Sequence, residues 1–105
     1  MTPVHGQINP AATTYTDIYE CSTGMKAKGR IRICEAGGGT PTYRVALIPS
    51  GESLSTEHYL TYDKAMTANG IDSISDIYLN AGDKLQAYAS SSAVAFSFNG
   101  YETET

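Results

Sequence analysis

The sequence predicts an all-β fold: an antiparallel β-sandwich, jelly-roll or Ig-like, of about seven to eight short strands. Three observations lead there. Apolar and polar residues alternate with period two through residues 77–99, which gives each strand one buried face. Turn chemistry recurs about every 8–12 residues. No stretch sustains a helical period.

Residues 1–12 hold Pro3, Gly6, Asn9 and Pro10, with Val4 and Ile8 as their large aliphatics. Proline removes a ladder donor and restricts its predecessor. The segment is therefore expected to be an N-terminal arm, packed on the surface or reaching a neighbouring subunit. A single sandwich domain follows over residues 13–105.

Thr13–Ser22, rich in Thr and Tyr, is the first strand expected within it. Ala27–Glu35 is the second, with Gly29, Ile31 and Ile33 facing one way and Arg30, Arg32 and Cys34 the other. Ala36-Gly37-Gly38-Gly39-Thr40-Pro41 reads as a mobile hairpin loop. Thr42–Ile48 is apolar on both faces and is expected to be central and covered on both sides. Pro49-Ser50-Gly51-Glu52 ends it, and residues 54–57 form a short helical turn or a loop. His58–Met66 is the fourth strand, Asn69-Gly70 a turn, and Ile71–Leu79 the fifth strand. Leu85, Ala87 and Ala89 mark the sixth; Val94, Phe96 and Phe98 mark the seventh. An acidic tail, 101–105, ends the domain.

A net charge of −4 and a pI near 4.9 argue against a nucleic-acid partner. Lys26, Lys28, Arg30 and Arg32 share one strand face, either as a solvated surface or as a contact for an acidic neighbour. No apolar run approaches the roughly 20 residues of a membrane span. The N-terminus lacks the basic and apolar regions of a signal peptide. Cys21 and Cys34 either pair or stay free, and a reducing compartment favours free thiols.

Catalytic chemistry is not expected. The triple glycine lacks the Lys-Ser/Thr and helix of a phosphate loop. His5 and His58 have no ligand-spaced partners, and surface positions are expected for both. No Gly-x-Ser-x-Gly elbow supports a Ser–His–Asp set. Asp17 with Glu20, and Asp72 with Asp76, are carboxylate pairs without an evident cleft. No cofactor or metal is expected, although Asp76, Asn80 and Asp83 could gather oxygen ligands for calcium near one turn.

Several stretches together resemble a known group. Gly6-Gln7-Ile8-Asn9-Pro10-Ala11-Ala12 leads into the first strand, and Arg32-Ile33-Cys34-Glu35 precedes the glycine loop. Tyr43-Arg44-Val45-Ala46-Leu47-Ile48-Pro49-Ser50-Gly51 and His58-Tyr59-Leu60-Thr61-Tyr62-Asp63 follow. Ile77-Tyr78-Leu79-Asn80-Ala81-Gly82-Asp83-Lys84-Leu85 and Val94-Ala95-Phe96-Ser97-Phe98-Asn99-Gly100 complete the pattern. Over roughly residues 6–100 the chain resembles the small stand-alone β-sandwich structural proteins of tailed bacteriophage virions.

That resemblance implies a non-enzymatic capsid decoration (cement) protein, made in the host cytoplasm and incorporated in the virion. It would bind the shell exterior and bridge subunits of the major capsid protein, as a small homo-oligomer. The alternative is a tail fibre or baseplate module that binds a host-cell receptor or glycan. Interface candidates are Val4 and Ile8 on the arm, with Tyr15, Tyr19, Tyr59, Tyr62, Tyr78 and Tyr88.

Overall fold

In the computed structural model, which describes residues 1–105, eight strands form two four-stranded antiparallel sheets packed as a sandwich. They are β1 (Thr2–Ile8), β2 (Thr16–Glu20), β3 (Met25–Glu35), β4 (Thr42–Ile48), β5 (Tyr59–Ala65), β6 (Ile71–Leu79), β7 (Lys84–Ala89) and β8 (Val94–Glu104). A short 3-10 turn, Thr56–His58, precedes β5. One sheet runs β1-β8-β3-β6, the other β2-β7-β4-β5.

The pairs β1/β8, β2/β7, β3/β6 and β4/β5 are all hydrogen-bonded. The chain is thus one long antiparallel ribbon folded over on itself, with β4 and β5 as its closed end. That is the jelly roll, and it selects between the two topologies the sequence left open. It also changes how residues 77–99 are used. β6, β7 and β8 follow one another in sequence but lie alternately in the two sheets.

Two chain ends differ from expectation. The arm expected for 1–12 is, over Thr2–Ile8, an edge strand paired along its length with β8. Val4, Gly6 and Ile8 turn inward while Pro3, His5 and Gln7 face out. An edge position tolerates the missing donor of Pro3. The tail is likewise strand: β8 continues through Tyr101–Glu104, and Glu102 is buried.

The core lies between the sheets. Phe96 and Phe98 of β8 and Ile31 and Ile33 of β3 meet Val45 of β4 and Leu85 of β7, all essentially inaccessible. Each such side chain contributes about 1.5–3 kcal/mol of burial. Gly29 faces Gly100 across the β3/β8 ladder. A side chain at Gly29 would collide with the Asn99 carbonyl and the Phe98 ring, so glycine here permits Phe98 to lie under β3.

β4 is central, between β7 and β5, as expected. Its inward Tyr43 and Val45 are buried, and so are Ala46 and Ile48 on the outer side, where the Thr56–His58 turn packs against the strand. His58 is therefore buried, not on the surface. Its Nδ1 accepts from the Ser55 amide at 3.1 Å, which leaves Nε2 protonated to donate to Glu52 at 3.0 Å.

β-Bulges on three strands re-aim side chains. On β2, Ile18 has no partner between Asp17↔Gln86 and Tyr19↔Leu85. On β6, Ser75 and Asp76 together oppose Arg30. On β5, Tyr62 and Asp63 together oppose Arg44, and Leu60 is a further extra residue. Asp63 and Asp76 adopt left-handed backbone, with φ of 49° and 59°. Two-against-one pairing of this kind bends a strand and turns its side chains.

Candidate docking surface

Four tyrosines and an arginine come together on the outer face of the β2-β7-β4-β5 sheet. Arg44 points outward from β4, and its guanidinium carbon lies 4.2 Å from the Tyr62 ring centroid and 4.3 Å from that of Tyr88. Its Nε donates to Asp63 Oδ1 at 2.7 Å and its Nη2 to Oδ2 at 3.3 Å. Its Nη1 donates to the Tyr15 hydroxyl at 2.9 Å. Tyr15 shares a 2.7 Å hydrogen bond with the Tyr59 hydroxyl. Ring contacts close the group: Tyr15 with Tyr88 and Tyr59 with Tyr62, each at 4.8 Å.

The cluster is exposed, and its own hydrogen bonds tie Arg44, Asp63, Tyr15 and Tyr59 together. Tyr62 is 57% and Tyr15 38% accessible. The hydrogen bonds from Arg44 to Asp63 and Tyr15 hold the guanidinium charge firmly. Burial, and then the bond to Tyr15, push the Tyr59 hydroxyl up to about 12. Beside the platform, Leu54, Ser55, Thr56, Tyr59 and Tyr62 line a shallow depression.

Tyr15, Tyr59, Tyr62 and Tyr88 thus converge, whereas the other four interface candidates lie elsewhere. Val4 and Ile8 pack inward from β1 against the core. The β2 bulge turns Tyr19 inward, where it stacks on Phe98 at 4.6 Å and donates to Glu102. Tyr78 lies on the opposite face of the molecule, 60% accessible, with Lys28 Nζ 5.3 Å from its ring centroid. Arg44 and Asp63, the centre of the platform, were not among the sequence candidates. Their meeting depends on the β5 bulge, which leaves no mark in the period-two pattern.

The buried carboxylates are structural. Glu35 accepts from the amides of Gly37, Gly38 and Asn69 at 2.8–2.9 Å and pins the glycine loop to the Asn69 turn. Glu102 accepts from Tyr19, from the Ser22 amide at 3.1 Å and from the Ser22 hydroxyl at 3.0 Å. Asp83 accepts from the Ser50 and Asn80 amides at 3.0 and 2.9 Å, so both its oxygens already have partners at the turn considered for calcium. Glu52, Glu57 and His58 place ligand-type atoms within 4.8 Å of one another. Both ring nitrogens of His58 are used in local hydrogen bonds, which gives that trio a structural role.

Cys21 is buried, Cys34 lies on the outer side of β3, and both thiols are free. Lys26, Lys28, Arg30 and Arg32 are all exposed on that same side of β3. No helix is long and apolar enough to cross a membrane. Comparisons with family models, with curated proteins and with solved structures return no match for this chain.

Proposed function

We propose that this chain is a non-enzymatic docking module, a decoration protein that binds the exterior of a phage capsid and bridges its subunits as a small homo-oligomer. The observation that carries the docking role is the Arg44 platform. Tyrosine and arginine dominate interface hot spots because they combine apolar area with directed hydrogen bonds. Here they are locked together before any partner arrives, so little side-chain entropy remains to be lost on binding. Arg44, Asp63 and the Tyr15 and Tyr59 hydroxyls are bonded to one another, which suits recognition better than proton transfer. The assignment to a virion rests on the sequence resemblance, and a jelly roll by itself serves many functions.

Shells that lack the protein provide the test. Purified protein should bind expanded shells and raise their resistance to heat and osmotic shock. Shells that neither take it up nor gain resistance would overturn the assignment.

The depression lined by Leu54, Ser55, Thr56, Tyr59 and Tyr62 favours a second reading, a tail fibre or baseplate module. Aromatic faces beside hydroxyls suit a sugar ring. Specific binding of the isolated protein to host cells or glycans, without shell binding, would select it.

A further inference from the structure

The outer face of the β1-β8-β3-β6 sheet, opposite the platform, carries a row of four cations. Lys26, Lys28, Arg30 and Arg32 project from β3, a central strand, along about 20 Å at the strand rise of about 3.3 Å per residue. None of the four forms an ion pair. The other three cations do pair: Arg44 with Asp63, Lys64 with Asp72, and Lys84 with Asp17. Short neighbours flank the row: Ser73 and Ser97 beside Arg32, Asn99 beside Arg30. Tyr78 and Tyr101, both more than half accessible, flank Lys28.

We infer that this face is a second docking surface, and that it fits an acidic surface on a partner protein. The charge distribution argues for both the site and the occupant. The chain has seven cations and eleven carboxylates, and the row takes four of those cations. Three cations against eleven carboxylates remain for everything else. An unpaired basic row on so acidic a molecule attracts and orients an approaching acidic patch. An extended acidic segment repeats its same-face side chains at the two-residue interval that separates these cations.

A long nucleic acid fits less well. It would run past the ends of the row onto the acidic remainder of the molecule. With the Arg44 platform on the other sheet, the module then has two chemically distinct faces. This surface stands whatever covers the platform.

The test is retention of the full chain on immobilised poly-glutamate of about seven residues, the length of the row, compared with binding to a single-stranded oligonucleotide across a salt series. Wild type should bind poly-glutamate, more weakly as salt rises, and more tightly than the oligonucleotide. Lys28→Glu with Arg30→Glu should weaken that binding about tenfold or more. Lys28→Gln with Arg30→Gln should weaken it in the same direction by less. Lys64→Glu with Lys84→Glu makes the same change in net charge away from the row and should have a much smaller effect. Circular dichroism checks that each variant keeps its strands. No retention of wild type, equal losses in both charge-reversed proteins, or tighter binding to the oligonucleotide would each overturn the inference.

Discussion

Asp63 holds Arg44 with both carboxylate oxygens while its own backbone sits in the left-handed region at φ 49°. Aspartate tolerates that conformation better than most residues. The bulge it occupies brings Tyr62 onto the same guanidinium plane. Lysine cannot reproduce a planar fork lying between two rings. Arg44→Lys should therefore leave the melting temperature nearly unchanged while Tyr62 and Tyr88 lose their fixed order, seen as averaged ring shifts by NMR. Shell binding should fall about tenfold or more if the platform is the docking surface. Ordered rings in Arg44→Lys would show that the arginine does not organise them, and unchanged shell binding would move the interface elsewhere.

Two tyrosine–carboxylate bonds join the sheets. Tyr19 of β2 donates to Glu102 of β8, and Tyr43 of β4 donates to Asp72 of β6 at 3.0 Å. Their rings rest on consecutive core phenylalanines, Tyr19 on Phe98 and Tyr43 on Phe96. Glu102 pairs with Ala27 and Asp72 with Ile33, so the two carboxylates start from backbone positions about 20 Å apart along β3. Burial first, then the neighbouring carboxylate, pushes each phenol well above its ordinary value, so both donate at any ordinary pH. Tyr19→Phe and Tyr43→Phe should each cost about 1–2 kcal/mol in denaturant unfolding. Their distance predicts additivity in the double variant. A large coupling energy would mean that the sheets move as one lever rather than being fastened at two points.

Acid should loosen the same framework. The Asn69 amide, with those of Gly37 and Gly38, holds the Glu35 carboxyl below its ordinary 4.5, and the Tyr19 hydroxyl does the same for Glu102. A carboxyl lowered in the folded state stabilises the fold above its unfolded value and loses that contribution as pH falls through the folded value. Stability should be level from neutral pH down to about 4.5 and decline below it. Glu35→Gln should be less stable at neutral pH and show a flatter decline. Parallel curves for wild type and Glu35→Gln would assign the acid sensitivity to other groups.

Strand positions were legible in the sequence where alternation is strict. Thr42–Ile48 and Ile71–Leu79 were read with the boundaries they have. The outward row on β3 was legible for the same reason. Val4 and Ile8 carried a correct inward signal, but Pro3 and Pro10 outweighed it, because proline argues against a central strand and is tolerated on an edge. The inward turn of Tyr19 and the meeting of Arg44 with Asp63 depend on bulges. A bulge changes the parity of a strand without changing its composition, so local pattern cannot locate it. His58 was misplaced because its burial depends on a turn folded back over β4.

The two thiols offer a check on that parity. Cys21 is 1% accessible, and its Sγ contacts the Met25 carbonyl at 3.6 Å. Burial first, and then the Glu102 and Asp83 carboxylates, push its thiol above the ordinary value, which suppresses the reactive thiolate. Cys34 lies near the other end of β3 on the outer side, beside Ile71 and Ala95, where it is half-buried. Under native conditions an alkylating reagent should modify Cys34 and leave Cys21 intact until the protein unfolds. Mass spectrometry of the intact protein followed by peptide mapping reads this directly. Early modification of Cys21 would show that the end of the sandwich held by Tyr19, Ser22 and Glu102 opens more readily than its hydrogen bonds imply.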